Sequence, residues 1–248
     1  MAFTCAHLSP RSAAAVLGLL LVGCVSQNTT TSTAPSTTPS TTAQPVIRYL
    51  ALGDSYTIGE HVQPSERWPV QLMLLLRDEG WRMTDPMIVA QTGWTTDELI
   101  QGIEQANISA PFDLVSLLIG VNNQYRGREL EEYRRQFRHL LQQAIHFAQD
   151  RPSHVIVLSI PDWSVTPVGQ AADAHRITTE IDRFNAINRE ETEQLGARYL
   201  DIAPSSRTGL TDSALIAGDG LHPAAKMYTQ WAELALPHAR AALVDAHQ

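Results

Sequence analysis

From Val46 onward the chain alternates short apolar runs with longer stretches in which apolar residues recur every three or four positions. The runs 46–53 (VIRYLALG), 86–91 (PMIVAQ), 113–120 (DLVSLLIG), 154–160 (HVIVLSI) and 197–203 (ARYLDIA) read as strands. Three of them are near-continuously apolar, which is how parallel strands covered on both faces are written. Between them lie amphipathic helices. Over 128–149, Leu130, Tyr133, Phe137, Leu140, Leu141, Ala144 and Ile145 form one stripe; over 176–195, Ile177, Ile181, Phe184 and Ile187 do the same, with Gly196 as the stop. Thr95 and Glu98 have the spacing of a capping box ahead of LIQGIEQ. Near the C-terminus Met227, Trp231 and Leu234 share a face, and Pro237 bends or ends that helix. Such alternation with short connections predicts an α/β fold, a parallel five-stranded sheet with helices on both sides. The segment 164–176 is the longest unpatterned loop of the body and is a candidate substrate-facing flap.

The first 45 residues break this pattern. Residues 12–23 form an apolar run of secretory h-region length behind Arg11, too short to span a bilayer comfortably. The run ends in Leu21-Val22-Gly23-Cys24, which resembles the lipobox of bacterial lipoproteins; the resemblance implies cleavage before Cys24 and lipid on that cysteine. The alternative is a plain secretory signal with an incidental cysteine. Residues 24–45 are almost all Ser, Thr, Pro, Ala and Gln and cannot bury apolar surface, so they read as an extended tether. The expected organisation is therefore a signal peptide over 1–23, a lipidated tether over 24–45 and one domain over 46–248, anchored in the cell envelope at the outer membrane or another extracytoplasmic face. Val25 after the cysteine is no inner-membrane retention acid, which favours the outer membrane.

Charge narrows the partners. The chain carries 18 Lys and Arg against 26 Asp and Glu, with no basic run, so nucleic acid is not an expected partner. Loss of residues 1–23 removes one arginine, leaving 17 bases against 26 acids, a balance of −9. Anionic lipid does not attract such a body, and membrane attachment falls to the anchor. The two cysteines, Cys5 and Cys24, both precede the body, which therefore holds no disulfide and no cysteine metal site. Composition says nothing about the oligomeric state.

In open parallel sheets, ligands bind beyond the carboxyl ends of the strands. The residues there are Gly53-Asp54-Ser55, Thr92-Gly93-Trp94, Gly120-Val121-Asn122-Asn123, Pro161-Asp162-Trp163 and Gly218-Asp219-Gly220-Leu221-His222-Pro223. Ser55 is either a turn residue or a nucleophile on a sharp strand-to-helix corner. A nucleophilic serine needs an imidazole to take its proton, and the imidazole needs a carboxylate to hold its tautomer. His222, three residues after Asp219, supplies both on one turn of chain; the flanking glycines permit a tight path, and Pro223 suits the first position of the next helix. Donors for an oxyanion are available from the Ser55 and Gly93 N–H groups and the Asn122 side-chain amide. Tyr56, Trp94, Asn123, Tyr125, Arg126 and Trp163 lie close enough in sequence to line a substrate pocket. The remaining histidines, His61, His139, His146, His154, His175, His238 and His247, lack an acid-plus-loop context and read as surface residues. No HExxH, GxGxxG or Walker pattern occurs, so neither a metal nor another cofactor is expected.

The blocks GDSYTIG, QTGWTTDEL, IGVNNQY and DGLHP place Ser55, Gly93, Asn122 and His222 in the order of the four named residues of the SGNH hydrolases, and the chain resembles a GDSL esterase/lipase over about 48–225. That resemblance implies a flavodoxin-like three-layer α/β/α sandwich. It also implies metal-independent cleavage of acyl esters, such as lysophospholipids or small acyl esters, with carbohydrate O-deacetylation or thioester hydrolysis as alternatives. Two departures stand out. The family's usual acid after the block-three asparagine is Asn123 here, which leaves Asn122 and Asn123 both available as the oxyanion donor, with register favouring Asn122. The leucine that often follows GDS is Tyr56. A reading from another class is a catalytically silent, tethered binding protein on the same scaffold.

Overall fold

A computed structural model describes residues 45–109 and 111–245. The signal, Cys24 and nearly all of the tether fall outside these residues. Five strands, β1 (Tyr49–Gly53), β2 (Met87–Ala90), β3 (Leu114–Leu118), β4 (Val155–Leu158) and β5 (Arg198–Leu200), form one sheet in the order β2-β1-β3-β4-β5. Every pairing is parallel, with Leu50 opposite Val115, Val115 opposite Val155 and Val157 opposite Tyr199. The central strands β1, β3 and β4 are buried at every position, whereas edge strand β2 exposes Met87. This is the physical content of the continuous apolar runs: a central strand with helices on both faces has no wet side.

The helices are α1 (Ser55–Ile58), α2 (Trp68–Asp78), α3 (Thr96–Ala106), α4 (Val121–Tyr125), α5 (Leu130–Phe147), α6 (Pro167–Gln170), α7 (Ala174–Gln194), α8 (Ala203–Arg207) and α9 (Ala225–Asp245). Helices α2 and α9 pack on one another, and α3, α5 and α7 pack in sequence as a second group. The expected three-layer α/β/α sandwich is thus present. Helix α2 has no counterpart among the predicted elements, yet it buries Trp68, Leu72, Met73 and Leu76. Between the helices of the second group, Glu191 is buried on α7 but reaches Arg134 and Arg138 of α5, so its charge is paired.

Several expectations need correction. The supposed loop 164–176 is mostly structured: a 3₁₀ turn over Trp163–Val165, then α6, then Asp173 accepting from the Arg176 N–H as the N-cap of α7. Its cue was capping chemistry rather than apolar period, since Thr166 in the same way accepts from Gly169. Leu234 is 41% exposed, and α9 instead buries Met227, Tyr228, Trp231 and Ala235. Pro237 neither ends nor interrupts α9, which continues to Asp245; it lies on the exposed side, where the carbonyl it leaves without a donor meets water. Pro223 is not the first residue of α9 but pairs in an isolated antiparallel bridge with Ile216, and the helix begins at Ala225. His154 is buried, its Nδ1 2.8 Å from the Asp113 carbonyl oxygen.

Candidate active site

The corner after β1 has no room for a side chain at Gly53. A Cβ on Gly53 would lie 2.2 Å from Thr57 Oγ1 and 2.5 Å from the Leu118 carbonyl oxygen, so α1 can fold back over the strand ends only above a glycine. Asp54 then caps α1, its Oδ1 accepting from the Tyr56 N–H at 3.0 Å. Ser55 follows as the first helical residue, 4% exposed at the rim of the sheet.

Asp54 is fully buried, and burial pushes its carboxyl up to about 7 despite the backbone N–H groups around it. With the folded value above the unfolded 3.8, the native state holds a proton that the unfolded chain releases. Native stability therefore falls as pH rises between those two values and levels off above them. Asp54→Asn keeps the cap without the titration. We expect it to match the wild type in acid and to exceed it above neutrality by up to about 4 kcal/mol. Urea unfolding at mildly acidic and mildly alkaline pH reads this directly; a variant that is instead weaker at alkaline pH would mean the ionised carboxylate is the favoured form.

The second component is the loop before α9. Asp219 Oδ1 accepts the backbone N–H groups of Leu221 at 3.1 Å and His222 at 3.0 Å, and its Oδ2 lies 2.6 Å from His222 Nδ1. Gly220 takes a left-handed φ of 72° within that turn. The loop is braced by the Ala217 N–H donating to the His222 carbonyl and by the Val168 N–H donating to the Gly220 carbonyl. Burial raises the Asp219 carboxyl, but the bonds from His222 and the two backbone donors outweigh it and hold it below the ordinary range. Asp219 is thus an anion fixed at both oxygens, one by the loop and one by the imidazole.

The third component joins two strand ends. Gly93 takes a left-handed φ of 87° after β2. Asn122 of α4 donates from Nδ2 to the Trp94 carbonyl at 2.9 Å, and Arg126 Nη2 donates to the Gly93 carbonyl at 2.6 Å. Arg126 is held in turn by Glu98 at 3.0 Å. The Gly93–Trp94 turn is therefore tied at two successive carbonyls to α4 and to Arg126, the residue that caps its C-terminus. One amide hydrogen of Asn122 remains for the cleft that this residue lines. Asn123 does not reach the cleft: it is buried, its Oδ1 accepting the Thr96 N–H at 3.0 Å and its Nδ2 donating to Thr96 Oγ1 at 2.8 Å. It anchors the start of α3, so the expectation that it lines the pocket is corrected.

Ser55, Gly93, Asn122 and His222 all line one cleft of about 280 Å³, whose other walls include Tyr56, Val121, Tyr125, Trp163, Val168 and Leu221. The Tyr125 and Trp163 rings meet edge to face at 5.9 Å, and Trp163 Nε1 donates to the buried Gln124 Oε1. Trp94 and Arg126 face a neighbouring pocket of about 390 Å³ that shares Thr92 and Gly93 with the cleft. Its remaining walls include Gln91, Glu98, Gln101 and Gln105.

Sequence reading passes over His61. The residue is exposed as expected, but it does have an acid: Nε2 lies 3.3 Å from Asp219 Oδ2, and its ring centroid is 5.8 Å from that of His222. No local motif announces it, because the two segments meet only through the fold. Val168, within the 164–176 segment expected to face the substrate, lines the cleft, whereas Leu221 is a lining residue without a sequence signal of its own.

A parallel α/β sandwich carrying a serine, an acid–histidine pair and amide donors at its strand ends has the make-up of a hydrolase. Residues 51–230 match the family described as GDSL-like Lipase/Acylhydrolase, and the chain belongs to that family. Among solved structures, TesA superposes with a TM-score of 0.63 at 18% identity, covering 79% of this chain and 99% of its own. The acetylxylan esterase Axe2 from Geobacillus stearothermophilus gives 0.62 at 18% identity, covering 78% and 94%. The psychrotrophic esterase EstA from Pseudoalteromonas sp. gives 0.56 at 17% identity, covering 81% and 96%. At these identities the likeness establishes the shared fold. No curated protein sequence matches the chain.

Proposed function

We propose that the chain is a metal-independent serine ester hydrolase acting on small acyl esters through Ser55, His222 and Asp219. The observation that carries this reading is the Asp219–His222 contact of 2.6 Å standing behind a cleft shared with Ser55 and the amide donors. Ser55 Oγ attacks the acyl carbonyl while His222 takes its proton, and His222 then returns the proton to the leaving alcohol. The oxyanion forms against the Ser55 and Gly93 N–H groups and Asn122. Water, activated by the same imidazole, clears the acyl-enzyme. Walls of aromatic and aliphatic side chains around 280 Å³ favour a short acyl chain over the long one of a lysophospholipid.

A second reading concerns the alcohol. The pocket across Gly93 presents the planar amides of Gln91, Gln101 and Gln105 beside the Trp94 indole, which lies against Gly102. Amides around an aromatic ring suit a polyhydroxylated leaving group better than a lipid, which favours O-acetylated carbohydrate. The test is one panel: p-nitrophenyl esters from acetate to palmitate, lysophosphatidylcholine and O-acetylated oligosaccharides, with Ser55→Ala as the blank. We expect the optimum at the shortest chains. Gln101→Ala and Gln105→Ala should raise KM for the oligosaccharide while leaving p-nitrophenyl acetate unchanged. Equal effects on both substrates would remove the carbohydrate reading. Silence throughout, with no fluorophosphonate labelling of Ser55, would move the protein to the class of tethered binding scaffolds.

A further inference from the structure

We propose that His61, Asp219 and His222 form a zinc site that switches the hydrolase off. One donor atom from each residue lies within 4.8 Å of the other two. His61 Nε2 and His222 Nδ1 both face the same carboxylate oxygen, Asp219 Oδ2, at 3.3 and 2.6 Å. Ligands bonded to tetrahedral zinc at about 2.0–2.1 Å stand about 3.3 Å apart, so side-chain shifts of roughly an ångström close the set around a metal. Two imidazoles and one carboxylate are a borderline donor set suited to zinc, and the open side toward solvent leaves room for a water as fourth ligand. The turn that carries His61 has a defined backbone. The residue sits at a left-handed φ of 63° in the turn that follows α1, where Val62 N–H donates to the Gly59 carbonyl. The adjacent Glu60, whose carboxylate takes the Thr92 hydroxyl, adds a second negative charge 4.0 Å from His61 Nε2.

The inhibitory effect follows from the two nitrogens of one ring. As the base, His222 needs its proton on Nδ1, facing Asp219, so that Nε2 can accept the Ser55 proton. A metal on Nδ1 takes that lone pair, and the ring proton then resides on Nε2 by exchange through solvent. Nε2 becomes a donor and can no longer accept from serine. The metal also claims the Asp219 oxygen that stabilises the imidazolium. The inference about switching rests on the ester-hydrolase reading; metal binding itself does not.

The test separates the two. Calorimetry of zinc chloride into the full-length Ser55→Ala protein should show binding at His61, and the added His61→Gln change should weaken it on the order of tenfold or more. With active enzyme, zinc should suppress p-nitrophenyl acetate hydrolysis, and chelator should restore it. The midpoint in His61→Gln, scaled to that variant's own activity, should rise by on the order of tenfold or more. Magnesium, which prefers oxygen ligands, should have no effect. His61→Ala serves as a second variant, with circular dichroism to check folding. Equal zinc affinity with and without His61, or no binding at millimolar zinc, overturns the site. Binding that depends on His61 but leaves hydrolysis untouched overturns the switch. A protein that binds zinc through His61 yet hydrolyses no ester would mean that the ester-hydrolase reading, not the site, has failed.

Discussion

Asp219→Asn is expected to lower kcat on a p-nitrophenyl ester by about 10⁴ while the protein stays folded. The asymmetry of the carboxylate in this structure is the reason. Oδ1 accepts two backbone N–H groups, from Leu221 and His222, so the asparagine oxygen must occupy that place and keep the loop closed. The asparagine NH₂ then faces His222 Nδ1, which has to accept from it instead of donating. The ring proton is forced onto Nε2, and the base that Ser55 needs is gone. Turning the amide the other way would set an NH₂ against two backbone donors. Thermal unfolding beside kinetics would check both halves: an unchanged melting temperature with lost turnover supports the assignment. Near-wild-type turnover would require a different acid. Asp162 is a poor replacement, since its carboxylate is already taken by Arg207 at 2.9 Å and Thr178 at 3.0 Å.

Asn122→Ala should cost about 10²–10³ in kcat with little change in KM. The amide is aimed by its bond to the Trp94 carbonyl, so it does not need to reorganise when charge develops on the substrate oxygen. A donor of this kind acts on the tetrahedral species more than on the bound ester, which places the loss in turnover. Steady-state kinetics on p-nitrophenyl acetate measure it. A variant within a few-fold of wild type would leave the oxyanion to the Ser55 and Gly93 N–H groups alone. Asn123 is not available as a substitute, because it is buried against Thr96 and does not line the cleft.

Much of this arrangement is legible in the order of the amino acids. The runs that become β1, β3 and β4 are near-continuously apolar because both faces are covered, and their alternation with helical stretches therefore predicts a parallel sheet. The polar clusters that follow the strands mark the ligand edge for the same reason. Period fails where an element is held by something other than a stripe. The Trp163–Gln170 region is set by caps and by the Val168 bond to Gly220, so its apolar pattern is silent. Leu234 illustrates the opposite error: it lies at helical spacing from Trp231, but the surface of α2 that α9 meets turns that position to solvent.

Local spacing determined the pieces that act within a few residues. Gly-Asp-Ser makes its own corner, and Asp219 and His222 meet on one turn because three residues of chain bring them there. Tertiary structure alone decided everything that depends on two distant segments meeting at ångström precision. It left Asn122 an amide hydrogen for the cleft while consuming Asn123 in the start of α3. It also brought His61 to the carboxylate that His222 shares. A sequence encodes contacts between neighbours directly, through backbone geometry. Contacts between remote segments arise only when packing of the whole sheet and its helices fixes where each loop must lie.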